Sequence, residues 1–262
     1  MKKIDYANLT KQLIGETVER PNKASAGTLS GHAAGEPFEK KVFSDLKKLY
    51  PGKIFKQYEY LNDIFLRHPK VITVQERFAL FSSPTVLFLL SRGEKATKSW
   101  NPDNIFEEKQ NDTADIIFTD NGHYDFIDVK TRNVSKSAQA PNIISAYKVA
   151  QMCARMIDND DYDIFQLHYI EVDWIEDQEN GVLQCTKATH GELFKATPST
   201  LYINWAAAMQ IQFHVSDLDQ AWHGTMNEWC IEYLRCFVQS AQERCAKMEE
   251  LYIRPFLKYI PL

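Results

Sequence analysis

The dipeptide Asn121-Gly122 lies between two apolar runs, Ile116-Ile117-Phe118 and the stretch from Tyr124 to Val129. Both turn residues tolerate positive φ, as the tight turns that match the twist of paired strands require, so the segment reads as a β-hairpin. Side chains alternate across a strand, which puts Asp128 and Lys130 on one face and turns Val129 the other way. The hairpin folds Asp115, at the start of its first strand, back beside that face. Two carboxylates and one ammonium converging on a sheet edge make a site for a hard divalent cation and a phosphate. The Val129 carbonyl offers a third oxygen, and Mg2+ would keep waters at its remaining positions. A cation there assists attack of water on phosphorus, with Lys130 orienting the nucleophile or stabilising developing charge. Without a cation the carboxylates repel each other and one pKa rises.

A formal charge of −5 speaks mildly against a nucleic-acid partner. Distribution matters more than the total. Between Asp128 and Arg155 the chain carries no acidic residue, while Lys130, Arg132, Lys136, Lys148 and Arg155 are basic, the pattern of a local anion-binding face. The longest apolar run, Val86 to Leu90, is too short to span a bilayer, and Met1-Lys2-Lys3 has no apolar stretch behind it, so neither a membrane segment nor a leader is expected. The five cysteines are odd in number and lack a Cys-x-x-Cys pair, which argues against a disulfide framework or a zinc site. These features suit a cytoplasmic protein folded as a single domain over residues 1–262.

Along the chain, Tyr6 to Ile14 reads as a first helix. A Gly/Ser/Ala-rich loop follows, lacking Walker A spacing, and Glu36-Pro37 opens a second helix closed by Pro51-Gly52, with Glu39 in its first turn. Ile54 to Tyr60 fits a short strand or the start of a helix, and Thr85 to Leu90 is a buried run. Pro141 suits a helix N-terminus, with Ile143, Tyr147, Ala150, Ala154 and Ile157 as its apolar stripe. Tyr162 to Trp174 reads as a long central strand and Val182 to Thr186 as a weaker one. From Leu201 to Val215 apolar odd positions alternate with Tyr202, Asn204, Gln210, Gln212 and His214, a single strand with one amide-rich face suited to base edges. Thr225 and Glu228 form a capping box for a long C-terminal helix.

Other chemistries fit less well. A glycosidase using both aspartates leaves Lys130 and the basic segment without a purpose. Cys153, Cys185 and Cys230 read as buried structural thiols, and His32, His123, His168 and His214 show no metal-ligand spacing.

The arrangement Asp115 … Asp128-Val129-Lys130 resembles the PD-(D/E)xK nuclease superfamily, with Ala114 where the usual proline stands. The words GTLSGHAAGEPFEK, FEEKQNDTADI, DVKTRN, SKSAQAPNIISAYK and LYINWAAAMQIQFHV resemble restriction endonucleases of the HincII/HindII type, from about Gly27 to the C-terminal helix. A departure lies after Ser91-Arg92-Gly93, where Glu94 replaces the family's usual basic residue. The resemblance implies an α/β restriction-endonuclease-like core, with a central mixed β-sheet flanked by helices and a long C-terminal helix. It implies a Mg2+-dependent homodimer that cuts double-stranded DNA at GTYRAC, leaving blunt ends with 5′-phosphates. By the same likeness Asp115 and Asp128 hold the metal, Lys130 is the catalytic lysine and Thr131 supports it. Gln139 wedges between bases, and Ala138, Asn142, Tyr202 and Asn204 lie against the site. A wedge at a pyrimidine–purine step, which kinks easily, explains tolerance of either pyrimidine there. The alternative is a DNA-binding protein of the same fold that has lost catalysis or sequence specificity.

Overall fold

The computed structural model describes residues 3–21, 32–60, 72–90, 113–137 and 139–260, with the side chains of residues 32–34 and 58 excepted. Expectations for the loop at 27–31, the departure at 91–95, the segment at 106–112 and Ala138 lie outside these residues.

The chain opens with α1 (Tyr6–Leu13), capped by Asp5, and a short strand β1 (Thr17–Glu19). Helix α2 (His32–Leu49) begins a turn before the expected Glu36-Pro37 start, so Pro37 lies inside it and Glu39 beyond its first turn. Ala33 and Ala34 are strong helix formers, and a proline this early forfeits little of the backbone ladder. Ile54 to Tyr60 holds both expected elements: β2 (Ile54–Lys56) pairs with the hairpin and a single helical turn α3 (Gln57–Glu59) follows. Next come α4 (Val74–Ser82), with a Thr73/Glu76 capping box, and α5 (Pro84–Leu90). Strands β3 (Ile116–Asp120) and β4 (His123–Asn133) form the expected hairpin, with Asn121 at φ 53° and Gly122 at φ 84° in its turn.

After β4 the expected helix at Pro141 is replaced by strand β5 (Asn142–Ser145), and α6 (Ala146–Asn159) starts only where Ser145 caps it. Pairing with a later strand claims the Asn142 to Ser145 backbone before a helix can. The buried stripe of α6 is consequently Ala146, Val149, Ala150, Met152, Cys153 and Met156, while Tyr147 and Ile157 are exposed. Strands β6 (Phe165–Asp177) and β7 (Val182–Glu192) follow, β7 running well past the expected Thr186. The single strand expected from Leu201 to Val215 is two, β8 (Tyr202–Asn204) and β9 (Gln210–Gln212), turned back at Ala208 and Met209, both at positive φ. Left-handed backbone costs such residues about 1–2 kcal/mol each, and Trp205 secures the turn by hydrogen-bonding Ser240 at 2.9 Å. Helix α7 (Met226–Met248) carries the expected capping box at Thr225 and Glu228.

The main sheet has strand order β1-β7-β6-β4-β3-β2, with β4 and β6 parallel and the other neighbours antiparallel; β5, β9 and β8 form a small second sheet. One apolar cluster holds Leu9, Phe38, Val42, Ile127 and Ile170, joining α1 and α2 to one sheet face. The other holds Leu89, Phe126, Met152, Tyr169 and Trp229, joining α5, α6 and α7 to the opposite face. Strand β6, flanked on both edges and packed on both faces, is buried from Leu167 to Trp174, as its mixed apolar sequence requires.

Candidate active site

Asp115 stands just ahead of β3, where antiparallel pairing carries it to the middle of β4. There its Oδ2 accepts a hydrogen bond from the Val129 amide at 2.8 Å. On β4, Asp128 and Lys130 share a face, and Lys130 Nζ lies 2.7 Å from Asp128 Oδ2. The contact is a buried ion pair, with the Lys130 ammonium as the charged partner of Asp128 Oδ2.

The electrostatics follow from this crowding. Burial first, then the charge and hydrogen bond of Asp128, raise Asp115 well above the usual carboxylate range, and Lys130 and the Val129 amide offset only part of the rise. Burial alone would lower Lys130. Asp128 and Asp115, with Glu39 more weakly behind them, outweigh that cost and raise its pKa, so the ammonium stays charged at neutral pH. Glu39, from α2, is itself ion-paired with Lys56 of β2. Helix α2 approaches β4 closely at Gly35, where an added Cβ would lie 3.3 Å from Thr131 Oγ1.

Gln57, a residue that no local pattern singles out, positions Asp115. Its buried amide nitrogen donates to the carbonyls of Leu89 and Leu90, at 3.2 and 3.1 Å. Its oxygen accepts from the amides of Thr113 and Ala114, at 2.9 and 3.1 Å. One side chain thus clamps the end of α5 to the two residues before Asp115. Gln57→Leu leaves these four backbone groups without that partner, and we expect it to lower stability by about 2–3 kcal/mol. Urea unfolding checks the loss, and an unchanged midpoint would remove Gln57 from the scaffold.

The acid-free segment after β4 is less uniformly cationic in space than in sequence. Arg132 makes a two-pronged ion pair with Asp173, at 2.8 and 2.6 Å, and Arg155 lies 4.0 Å from the Phe88 ring centroid. Lys136 and Gln139 are exposed. On the small sheet, Asn142, Tyr202, Asn204 and Gln212 share a face through the pairing of β5, β9 and β8. Gln212 donates to Asn142 Oδ1 at 2.7 Å and accepts from Asn204 Nδ2 at 2.9 Å, while Tyr202 is exposed beside them. The row of hydrogen-bonding groups expected from alternation therefore exists, assembled from three short strands. His214 stands apart from it, held by Glu171 at 2.7 Å.

The family model described as Restriction endonuclease HincII matches residues 9–260. A relative called Type II restriction enzyme HindII, from Haemophilus influenzae (strain ATCC 51907 / DSM 11121 / KW20 / Rd), is 56% identical over 255 residues, 97% of either chain. Another, Type II restriction enzyme HincII from Haemophilus influenzae, is likewise 56% identical over 97% of each chain.

Proposed function

We propose, from the premise that this chain belongs to the HincII restriction endonuclease family and is a type II restriction endonuclease, that it hydrolyses double-stranded DNA at GTYRAC with Mg2+. In this reading it leaves blunt ends bearing 5′-phosphates, and acts in the cytoplasm as a homodimer. The observation that carries the reading is the meeting of Asp115, Asp128 and Lys130 at the middle of β4. The hexamer rests on the likeness to HincII and HindII. Two-fold symmetry of a dimer would match that of the palindrome, and the exposed Leu251, Tyr252, Phe256 and Leu257 offer apolar surface that a second copy could cover. Among the described residues no helix is long and apolar enough to cross a membrane.

The residues present fit a hard divalent cation. Asp115, Asp128 and the Val129 carbonyl are all oxygen donors, and the two buried carboxylates crowd each other, as the raised Asp115 pKa reflects. When bound, such an ion offsets charge on the phosphoryl oxygens and eases deprotonation of the attacking water. Lys130 holds its ammonium beside Asp128, where it orients that water and stabilises charge on the phosphate as the bond breaks. The Val129 amide keeps Asp115 pointed inward, and Thr131, packed against Gly35, supports β4 from its other face. By the likeness to these enzymes, Gln139 would wedge between bases at the central step, and Ala138, Asn142, Tyr202 and Asn204 would lie against the bases of the site.

Incubation with plasmid DNA, with and without Mg2+, tests the reading. Discrete blunt fragments ending at GTY and RAC, formed only with the ion, support it. A smear indicates a non-specific nuclease, and intact DNA indicates a binder without catalysis. For the wedge, Gln139→Ala should narrow the cleavage-rate ratio between YR and other central steps by about tenfold, the size of one lost sequence-reading contact. Equal losses on all sequences would contradict that role.

A further inference from the structure

A separate ionisable cluster lies on the opposite face of the main sheet. Asp128 pairs with Tyr169, on the face covered by α5 and α6, whereas Ile127 pairs with His168 on the face covered by α1. Strand β7 runs antiparallel to β6 with Glu192 opposite His168 and His190 opposite Ile170, so both join His168 on that face. Among the described residues, one donor atom each from His168, His190 and Glu192 lie within 4.8 Å of one another.

The histidine pair is already close to the separation a metal requires. His168 Nδ1 and His190 Nε2 are 3.0 Å apart, and two imidazole nitrogens on one tetrahedral Zn2+, each at ~2.0–2.1 Å, stand about 3.3 Å apart. Behind His168 the outer support of a metal site is in place. His168 Nε2 faces Asp125 Oδ1 at 3.5 Å, and Asp125 Oδ2 accepts a hydrogen bond from the Tyr6 hydroxyl at 3.1 Å. A carboxylate beside Nε2 favours the tautomer protonated there, which leaves the Nδ1 lone pair toward His190; the same Oδ1 also meets His123 Nε2 at 3.1 Å. The Tyr6 ring stacks on both imidazoles, with centroids 4.4 Å from His168 and 4.0 Å from His190, and so limits ring rotation. Glu192 adds a carboxylate at the half-buried edge, its Oε1 also meeting Lys195 at 2.6 Å.

We propose that His168, His190 and Glu192 bind Zn2+ or a cation of similar borderline softness, at a site separate from the oxygen-only carboxylates of β4. Two imidazoles and one carboxylate favour such an ion over Mg2+. Binding ties β6 to β7 beneath α1, so its effect is on the fold of this face.

Cobalt(II) is the probe, because nitrogen-rich sites of low coordination number give it intense visible absorption that oxygen-only octahedral sites do not. The metal-free full-length protein titrated with Co2+ should develop an intense band that excess Mg2+ leaves and Zn2+ removes. Asp128→Asn should retain the band, His190→Gln should lose it, and Asp125→Asn should weaken binding about 10–100-fold. If His190→Gln fails to fold, as circular dichroism would reveal, Glu192→Gln at the strand edge serves instead and should weaken cobalt binding by a similar factor. No band in the unaltered protein, or a band that a folded His190→Gln variant keeps, overturns the proposal and leaves a histidine–histidine hydrogen bond alone. None of these readouts depends on DNA cleavage.

Discussion

Lys130→Met should reduce single-turnover cleavage by about 10²–10³ or more, the cost of removing one charge-stabilising donor from a catalytic site. It should also weaken the fold in the absence of a divalent cation. Lys130 pairs with Asp128 and its charge also offsets that of Asp115, and methionine keeps most of the apolar stem while leaving the two carboxylates without the ammonium. Removing one partner of a buried pair costs about 3–5 kcal/mol. A quarter of the Lys130 side chain reaches solvent (24%), which puts the expected loss at or below the lower end of that range. Mg2+ should recover part of it, because a ligand that binds only the folded state stabilises by mass action. Cleavage of an end-labelled duplex and urea unfolding in EDTA check the two halves, and normal cleavage would remove Lys130 from the chemistry.

Asp115→Asn separates catalysis from stability in the opposite direction. It should abolish cleavage by removing one of the proposed metal oxygens. The amide oxygen of asparagine can still accept from Val129, so the local backbone should hold. In the folded protein Asp115 is raised above its unfolded value by burial and by Asp128. A group of this sign contributes stability that is fully present below the unfolded pKa and lost as pH rises through the folded one. The cation-free wild type should therefore lose stability as pH climbs from the ordinary carboxylate range through the raised pKa. The asparagine variant lacks that component, so its thermal midpoint should gain on the wild type as pH increases. Adding Mg2+ should stabilise the wild type and leave the variant much less changed. Melts in EDTA at a series of pH values test this; a difference in midpoint that stays constant with pH, or a variant that loses ground to the wild type as pH rises, would contradict the arrangement of charges.

The parts of this molecule that could be read from sequence are those in which local chemistry decides the outcome. Asn121-Gly122 specifies a turn by backbone sterics alone, and Thr225 with Glu228 specifies a helix start through two short-range hydrogen bonds. Alternation along β4 was enough to put Asp128 and Lys130 on one face, because the period of a strand leaves no freedom once its ends are fixed. Partners distant in sequence decided the rest. Pro141 precedes a strand because β9 was available to pair with Asn142 and Ser145. The Leu201 to Val215 alternation breaks at Ala208 and Met209, residues whose side chains give no warning of positive φ. Arg132 is taken by Asp173, 41 residues away, so a basic run in the sequence did not become a uniformly free basic face. Gln57 and the His168–His190 pair escaped notice for the same reason, since long-range strand register and helix docking create their contacts.

If Asp115, Asp128 and Lys130 together form a cation-dependent phosphodiesterase centre, single-turnover cleavage of one labelled GTYRAC duplex, by the unaltered protein and by Asp128→Asn, in Mg2+ and in EDTA, will show it when paired with gel retardation in Ca2+. The unaltered protein should cut in Mg2+ alone, Asp128→Asn should cut in neither condition, and both proteins should retard the duplex. Cleavage that survives EDTA, or that Asp128→Asn performs at the normal rate in Mg2+, would contradict such a centre.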